Sequence, residues 1–145
     1  MKNKTLKVQL HDPKAKAPCY ANKGDAGLDL FTPRKVTVPA RGKVIIDTAV
    51  SLHLPKNTVA LIWDKSGLGC KHGIKVLGGV FDEIFRGTYT IALANLSDKD
   101  YTFNEGDKIC QVLIQRIEYV DVKVVSQIDT NTSRGKKRFG STGRK

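Results

Sequence analysis

The chain has 145 residues and a formal net charge of +11, with 40% hydrophobic and 27% charged residues. This length suits one globular domain, which buries roughly 70% of the surface that its unfolded chain exposes. No apolar run approaches the roughly 20 residues that span a bilayer, and residues 1–10 lack the apolar block of a signal peptide, so we expect a cytoplasmic protein. The charge fits nucleic acid, an anionic membrane or nucleotide phosphates equally well and alone decides nothing.

Short runs rich in β-branched residues recur along the chain, and some of them alternate polar and apolar residues. In chain order these runs are residues 5–10, 36–38, 44–46, 50–54, 59–63, 109–117 and 120–125. Turn signals separate them at residues 39–42, 54–57 and 104–107. Strands this short, at this spacing, predict an all-β sandwich, jelly roll or barrel.

Only residues 64–73 have a helical pattern, with Ser66 as a candidate N-cap. Their three glycines predict that any helix there is short. The last dozen residues, 134–145, contain six basic residues, three glycines and no acid, which is typical of a mobile tail.

The three cysteines are widely spaced and form no CxxC pair, which argues against a disulfide framework and against zinc held by cysteines. A zinc deaminase would need an HxE followed by a PCxxC, and neither is present. We predict core thiols and surface imidazoles at Cys19, Cys70, Cys110, His11, His53 and His72.

Two glycine-rich segments with hydroxyl groups, residues 65–69 and 139–143, look like phosphate cradles. Backbone N–H groups exposed at such turns attract anions, although either segment could equally be a plain turn. Phe139 has no local packing partner in its basic, glycine-rich surroundings. It either dangles or closes over a planar ligand, since stacking on a base is worth roughly 1–3 kcal/mol.

Asp82 lies among glycines and large apolar residues in the segment 78–87. The glycines indicate a sharp bend or a close approach of the backbone to a ligand. A carboxylate in such a pocket is a candidate general base; the alternative is a solvated acid on a hairpin.

Five short motifs stand in order over nearly the whole chain, from about Ala26 to Gly143. They read AGLDL at 26–30, KSGLG at 65–69, GVFDEIFRG at 79–87, GDKICQ at 106–111 and RGKKRFGSTG at 134–143. In this order and spacing they resemble the motifs of the trimeric dUTPases. The resemblance implies a dUTPase-type β jelly roll or barrel with one short helical turn, forming a homotrimer with active sites shared between subunits. Residues 1–133 would be the β domain and residues 134–145 a basic arm that closes over the site.

The implied activity is hydrolysis of dUTP to dUMP and pyrophosphate by attack of water at the α-phosphate, which keeps uracil out of DNA. Asp82 would orient the water and meet the sugar 3′-hydroxyl, and Gln111 would lie beside the α-phosphate. Asp29 would hold Mg²⁺ on the triphosphate through the water shell of the ion. No membrane partner is implied.

The resemblance also implies where the substrate binds. The residues that would bind phosphate are Lys65, Ser66 and Gly67. The backbone around Gly79, Val80 and Phe81 would pair with uracil, and Phe85 would pack on the deoxyribose and exclude a 2′-hydroxyl. The closing arm would contribute Arg134, Phe139, Gly140, Ser141 and Thr142.

The chain departs from the family pattern at several site positions. Lys65 replaces an arginine and so gives a point charge in place of a bidentate fork. Phe85 replaces a tyrosine, which keeps the ring and loses a hydroxyl. Lys137 and Arg138 replace two glycines of the arm and add positive charge. Ile84 replaces an acid, and the sequence does not explain this substitution.

Three other functions can be tested against the first. A dCTP deaminase of the same fold would release ammonia from dCTP, and the fifth motif argues against it. A regulatory protein of this fold would signal through nucleotide-dependent partner contacts, although the complete set of catalytic residues argues against binding alone. A nucleic-acid binder would show steep salt dependence, but the sequence lacks an interleaved basic and aromatic surface.

Overall fold

A computed structural model describes residues 5–138, and within them the chain forms eleven strands and one helix. The elements are β1 (Lys7–Leu10), β2 (Leu28–Phe31), β3 (Val36–Val38), β4 (Lys43–Asp47), β5 (Val50–His53), β6 (Thr58–Trp63), α1 (Ser66–His72), β7 (Ile74–Leu77), β8 (Val80–Phe81), β9 (Thr90–Asn95), β10 (Tyr101–Phe103) and β11 (Lys108–Arg116). The predicted all-β class is confirmed.

The strands pair antiparallel in four sheets. The largest has the order β2-β11-β6-β8, a second has the order β4-β9-β7, and two ribbons pair β1 with β5 and β3 with β10. None of these sheets closes on itself, so the barrel alternative is wrong for the described part of the chain.

One hydrophobic cluster lies between these sheets and includes the fully buried Leu30, Leu93, Phe103 and Tyr89. In β9 buried residues alternate with more exposed ones, as expected when one face of a strand packs on a core. All four residues of β2 are buried, although one of them is Asp29. The core therefore surrounds a carboxylate, and this strand leads directly to the candidate site.

Most predicted strands are confirmed, with shifts of a residue or two at their ends. The prediction of a strand over 120–125 is wrong: these residues form no strand and are exposed, with Val122 91% and Val124 93% accessible. A strand needs hydrogen-bonding partners on a neighbouring strand, and none of the described strands pairs with this segment.

Two local predictions also need correction. Lys65, not Ser66, occupies the N-cap of α1, and its side chain makes no capping hydrogen bond because it reaches elsewhere. Cys19 and Cys70 are exposed, so of the three thiols only Cys110 lies in the core.

None of the described helices is long and apolar enough to cross a membrane.

Candidate active site

The first and fourth motifs meet in the largest sheet, where Gln111 of β11 lies opposite Asp29 of β2. The Gln111 amide donates a hydrogen bond of 2.8 Å to the backbone carbonyl of Asp64. A Cβ added at Gly27 would overlap the Gln111 Oε1, which explains why the first motif has a glycine there. The glycine makes room for the glutamine that the resemblance places at the α-phosphate.

Asp29 is buried, and each of its two oxygens faces a lysine. Lys65 Nζ donates a hydrogen bond to Oδ1, and Lys108 Nζ lies 2.6 Å from Oδ2. The Lys108 contact lacks the alignment of a hydrogen bond, but its length makes it a close ion pair. Burial would raise the pKa of Asp29, yet Lys108 and Lys65 outweigh burial and hold this pKa below its ordinary value. Asp29 is therefore an anion at neutral pH.

A β-bulge directs Lys108 towards Asp29. The register between β11 and β2 shifts between Lys108 and Cys110, so that Lys108 lies opposite Phe31. Without this shift Ile109 would lie opposite Phe31, and Lys108 would belong to the other face of the sheet. Because Phe31 and Asp29 are two residues apart, the bulge places Lys108 on the face that carries Asp29.

The second motif begins α1 beside this carboxylate. Ser66 and Gly67 follow Lys65 directly and are exposed. A Cβ at Gly67 would meet nothing within 4 Å, so the surface beside the first turn is open. The structure thus brings together Asp29, Lys65, Gln111 and the start of α1, as the resemblance implies.

The third motif forms an edge of the same sheet, since β8 is its last strand. Gly79 accepts a hydrogen bond of 2.7 Å from the Ile62 N–H. Hydrogen-bonded and non-hydrogen-bonded pairs alternate in an antiparallel ladder, so Val80, opposite Leu61, forms a non-hydrogen-bonded pair. The N–H and C=O of Val80 therefore point away from β6, off the free edge of β8.

Three aromatic rings lie behind this edge. The Phe81 ring stacks on Tyr89 with a centroid distance of 4.1 Å, and Phe85 lies 5.5 Å from Phe81. A Cβ at Gly87 would come within 2.7 Å of the Phe85 ring, so this glycine allows the ring to lie against the turn. Phe85 keeps 37% of its surface exposed and can contact a ligand.

Asp82 lies far from Gln111 within one chain. Gln111 is opposite Trp63 on β6, whereas Phe81 of β8 is opposite Ala60, three residues along the same strand. Two strand spacings and three residue steps place Phe81 roughly 14 Å from Gln111. The exposed Asp82 follows β8 directly, where the chain turns after Phe81. Within one chain the strand before the predicted base is thus not a neighbour of the strand that carries Gln111.

The fifth motif lies only partly within the described residues. Residues 134–138 are exposed and form a turn in which the Arg134 side chain donates a hydrogen bond of 3.3 Å to the Lys137 carbonyl. The remaining predicted site residues of the arm lie outside the described part: Phe139, Gly140, Ser141 and Thr142.

Sequence reasoning missed Lys108, although a cation between a glycine turn and a buried strand is a usable signal.

The family model for dUTPase matches residues 13–143 of this chain. The chain belongs to the dUTPase family. Among its relatives is the deoxyuridine 5′-triphosphate nucleotidohydrolase of Candida albicans, which is 39% identical over 142 residues, covering 97% of this chain and 89% of that protein. This agrees with the predicted enzyme class.

Solved structures of phage dUTPases have the same fold. A mutant dUTPase of Staphylococcus bacteriophage 80alpha with bound dUpNHpp is 26% identical, with a TM-score of 0.88 over 97% of this chain and 99% of that one. A mutant dUTPase of another S. aureus phage is 28% identical, with a TM-score of 0.78 over 86% of this chain and 98% of that one, and was studied for the coordination of a structural Mg(II) ion. The predicted dUTPase-type jelly roll is confirmed.

The described residues do not fit a resident metal ion at Asp29. Both carboxylate oxygens face lysines, and only 2% of the residue is accessible. Within residues 5–138 there is also no group of three His, Cys, Asp or Glu side chains that could hold an ion. In this arrangement each oxygen of Asp29 that would meet the water shell of Mg²⁺ already contacts an ammonium group.

Proposed function

We propose that this chain hydrolyses dUTP to dUMP and pyrophosphate by attack of water at the α-phosphate. One observation carries the proposal: the family motifs converge in space, with Gln111, Lys65 and Lys108 gathered around Asp29 beside the start of α1. Two cations and open backbone N–H groups at one place suit a polyphosphate. The family and the relatives support uracil and deoxyribose as the rest of the ligand.

Attack on phosphorus depends on positioning and charge stabilisation more than on covalent chemistry. Lys65 and Lys108 would stabilise charge that develops on the pyrophosphate leaving group. Gln111, fixed by its hydrogen bond to the Asp64 carbonyl, would orient the α-phosphate and the water. Asp82 would accept the proton of the water, a role worth about 10²–10⁴-fold in rate.

The free edge of β8 supports recognition of uracil by the backbone. Val80 presents one N–H and one C=O outwards, which is a donor–acceptor pair like that on the edge of a base. Gly79 has a positive φ of 103°, and the Ile62 carbonyl oxygen lies where a Cβ would come within 2.9 Å of it, so the backbone of this edge lies close to β6. Phe85 would cover the deoxyribose beside it.

A homotrimer with shared sites is the assembly that we propose. The distance of roughly 14 Å between Phe81 and Gln111 supports a role for Asp82 at a site on another chain. Val120, Val122 and Val124 are exposed in sequence alternation, and such an apolar row calls for a covering surface. Residues 134–145 would extend from this segment as the arm that closes over a neighbour's site.

The proposed substrate is the magnesium complex of dUTP. Mg²⁺ commonly binds substrate phosphates with only one or two protein carboxylates, so the ion can enter with the nucleotide.

The three free cysteines, two of them exposed, are consistent with work in a reducing cytosol.

Pyrophosphate release from dUTP, compared with dTTP, dCTP and UTP, tests this function. We expect turnover of dUTP to exceed that of each competitor by at least about 10²-fold. Cytosine presents the wrong hydrogen-bonding groups to the backbone edge, whereas the methyl group of dTTP and the 2′-hydroxyl of UTP would be excluded by lack of space. In ¹⁸O-water the label should enter dUMP. Label in pyrophosphate, stepwise release of orthophosphate, or ammonia from dCTP would contradict the proposal.

A further inference from the structure

Asp29 joins two lysines that come from different parts of the fold. Lys65 stands at the N-cap of α1 and Lys108 at the start of β11, and both contact one carboxylate whose side chain is 3% accessible. We infer that Asp29 is a positioning residue, which holds the ammonium groups of Lys65 and Lys108 as one phosphate-binding unit and does not ligate the metal. This inference rests on the proposed function.

The charges of this cluster favour binding of a polyanion. Two ammonium groups around one carboxylate leave a net charge of +1. Each ammonium has three N–H donors. Lys65 uses one of them on Asp29, whereas Lys108 contacts Asp29 as a close ion pair. The lysine side chains remain 29% and 43% accessible, so their other donors can reach phosphate oxygens.

Holding the lysines in place has a clear physical benefit. A free lysine side chain adopts many rotamers, and part of this freedom is lost when the side chain binds a ligand. The carboxylate fixes both side chains before the nucleotide arrives, so less entropy is lost on binding. The β-bulge that turns Lys108 to the face of Asp29 shows that the backbone itself supports this arrangement.

The test measures affinity for dUpNHpp in buffer with EDTA, so that no divalent metal is present. Asp29→Asn adds one unit of positive charge locally, and simple attraction would then tighten binding. Positioning requires the opposite: we expect affinity to fall about fivefold or more, because the lysines lose their common anchor. Asp98→Asn is the matched control, since it makes the same charge change in an exposed pair with Arg41 and should change affinity less than about twofold.

A double-mutant cycle measures the coupling directly. Lys108→Met should weaken metal-free binding about tenfold in the wild type, as expected for a lost charge-assisted hydrogen bond. In the Asp29→Asn background the same change should cost about twofold, because the ammonium is no longer positioned. Additive effects, or tighter binding by Asp29→Asn, would overturn the inference.

Magnesium titration separates positioning from metal ligation. If Asp29 positions the lysines, the Mg²⁺ concentration that half-saturates the strengthening of dUpNHpp binding stays the same in Asp29→Asn. A rise of about tenfold, with metal-free affinity unchanged, would make Asp29 a metal ligand. Thermal unfolding and circular dichroism would verify that each variant folds.

If Asp29→Asn does not fold, Lys108→Met alone still decides the question. Positioning predicts weaker metal-free binding with an unchanged magnesium midpoint. If Asp29 ligates the ion, freeing its Oδ2 should lower that midpoint, and this result would contradict us. Failure of the wild type to bind dUpNHpp would instead overturn the proposed function, and the inference with it.

Discussion

The Tyr89 hydroxyl is buried in the core and has no hydrogen-bonding partner among the described residues. A buried hydroxyl without a partner loses its hydration and gains nothing in return. Burial raises the pKa of Tyr89 to about 12. The ring nevertheless stacks on Phe81 and so supports the aromatic group behind the β8 edge.

Replacing Tyr89 with phenylalanine tests this account through pH. Above pH 10 an unfolded tyrosine ionises while folded Tyr89 keeps its proton to about pH 12. The stability due to neutral Tyr89 is thus complete below pH 10 and lost as pH rises towards 12, by roughly 1.4 kcal/mol per unit. Tyr89→Phe should remove this decline and keep or raise stability at pH 7.

Denaturant unfolding from pH 8 to 11.5, at fixed protein concentration, measures both effects. Tyr20→Phe is the matched control, because Tyr20 is 54% exposed and its loss should leave the alkaline decline of the wild type. Equal alkaline slopes for the wild type and Tyr89→Phe would show that the buried hydroxyl does not govern this decline.

Phe85 allows a second test at the residue scale. Its ring is partly exposed beside Gly87 and would contact the sugar of the substrate. Phe85→Ala should narrow the preference for dUTP over UTP in kcat/KM by about tenfold, because the ring would no longer exclude the 2′-hydroxyl of UTP. Phe85→Tyr, which keeps the ring, is the control and should preserve the preference. An unchanged ratio in the alanine variant would place sugar selection elsewhere.

At the scale of elements, sequence patterns predicted β6 and β11 well but missed β9, which is as long as β6. β6 and β11 have β-branched runs that indicate strands whatever their neighbours. β2 escaped prediction because only four residues form it, and its one polar residue is a buried carboxylate. Residues 120–125 have the composition of a strand, but pairing decides whether one forms, and composition contains no information on partners.

The candidate site was also predictable only in part, because short motifs contain no information on strand pairing. The motifs named Asp29, Lys65 and Gln111, and the fold brings them together. The role of Lys108 depends on a one-residue bulge, and a register shift of this kind leaves no periodic signal. The separation of Asp82 from Gln111 likewise follows from strand order, which short motifs do not specify.

The β8 edge gives a prediction for an element. Gly79 has a φ of 103°, and a Cβ there would lie 2.9 Å from the Ile62 carbonyl oxygen. Gly79→Ala should therefore destabilise the fold by about 2 kcal/mol or more and weaken dUMP binding. Gly78→Ala is the control: its φ is 72° and nothing lies within 4 Å of an added Cβ, so about 1 kcal/mol is expected. Equal losses measured by denaturant unfolding would refute the role of this contact.

For the whole molecule, the shared-site proposal predicts complementation between inactive variants. Asp82→Asn keeps the shape of the side chain but removes the base, so turnover should fall by roughly 10²-fold or more while nucleotide affinity changes little. A chain cut after Ser133 should fold and trimerise, yet lose most activity with its arm.

Co-refolding the two variants builds mixed trimers in which a native Asp82 from one chain meets a native arm from another. Activity should reappear and peak near an equal mixing ratio. Each variant refolded alone is the control and should stay inactive. Silence across all ratios, with mixed trimers verified by native mass spectrometry, would show that each chain completes its own site.

The exposed valines also bear on the life of a newly made chain. Val120, Val122 and Val124 form an exposed apolar row in a segment with the composition of a strand, and an unpaired segment of this kind can nucleate aggregates. Asp121 and Lys123 interrupt it with charges of opposite sign, which act as gatekeepers against self-association of these segments. Asp121 and Lys123 thus reduce aggregation of the monomer before the three valines are covered by another chain.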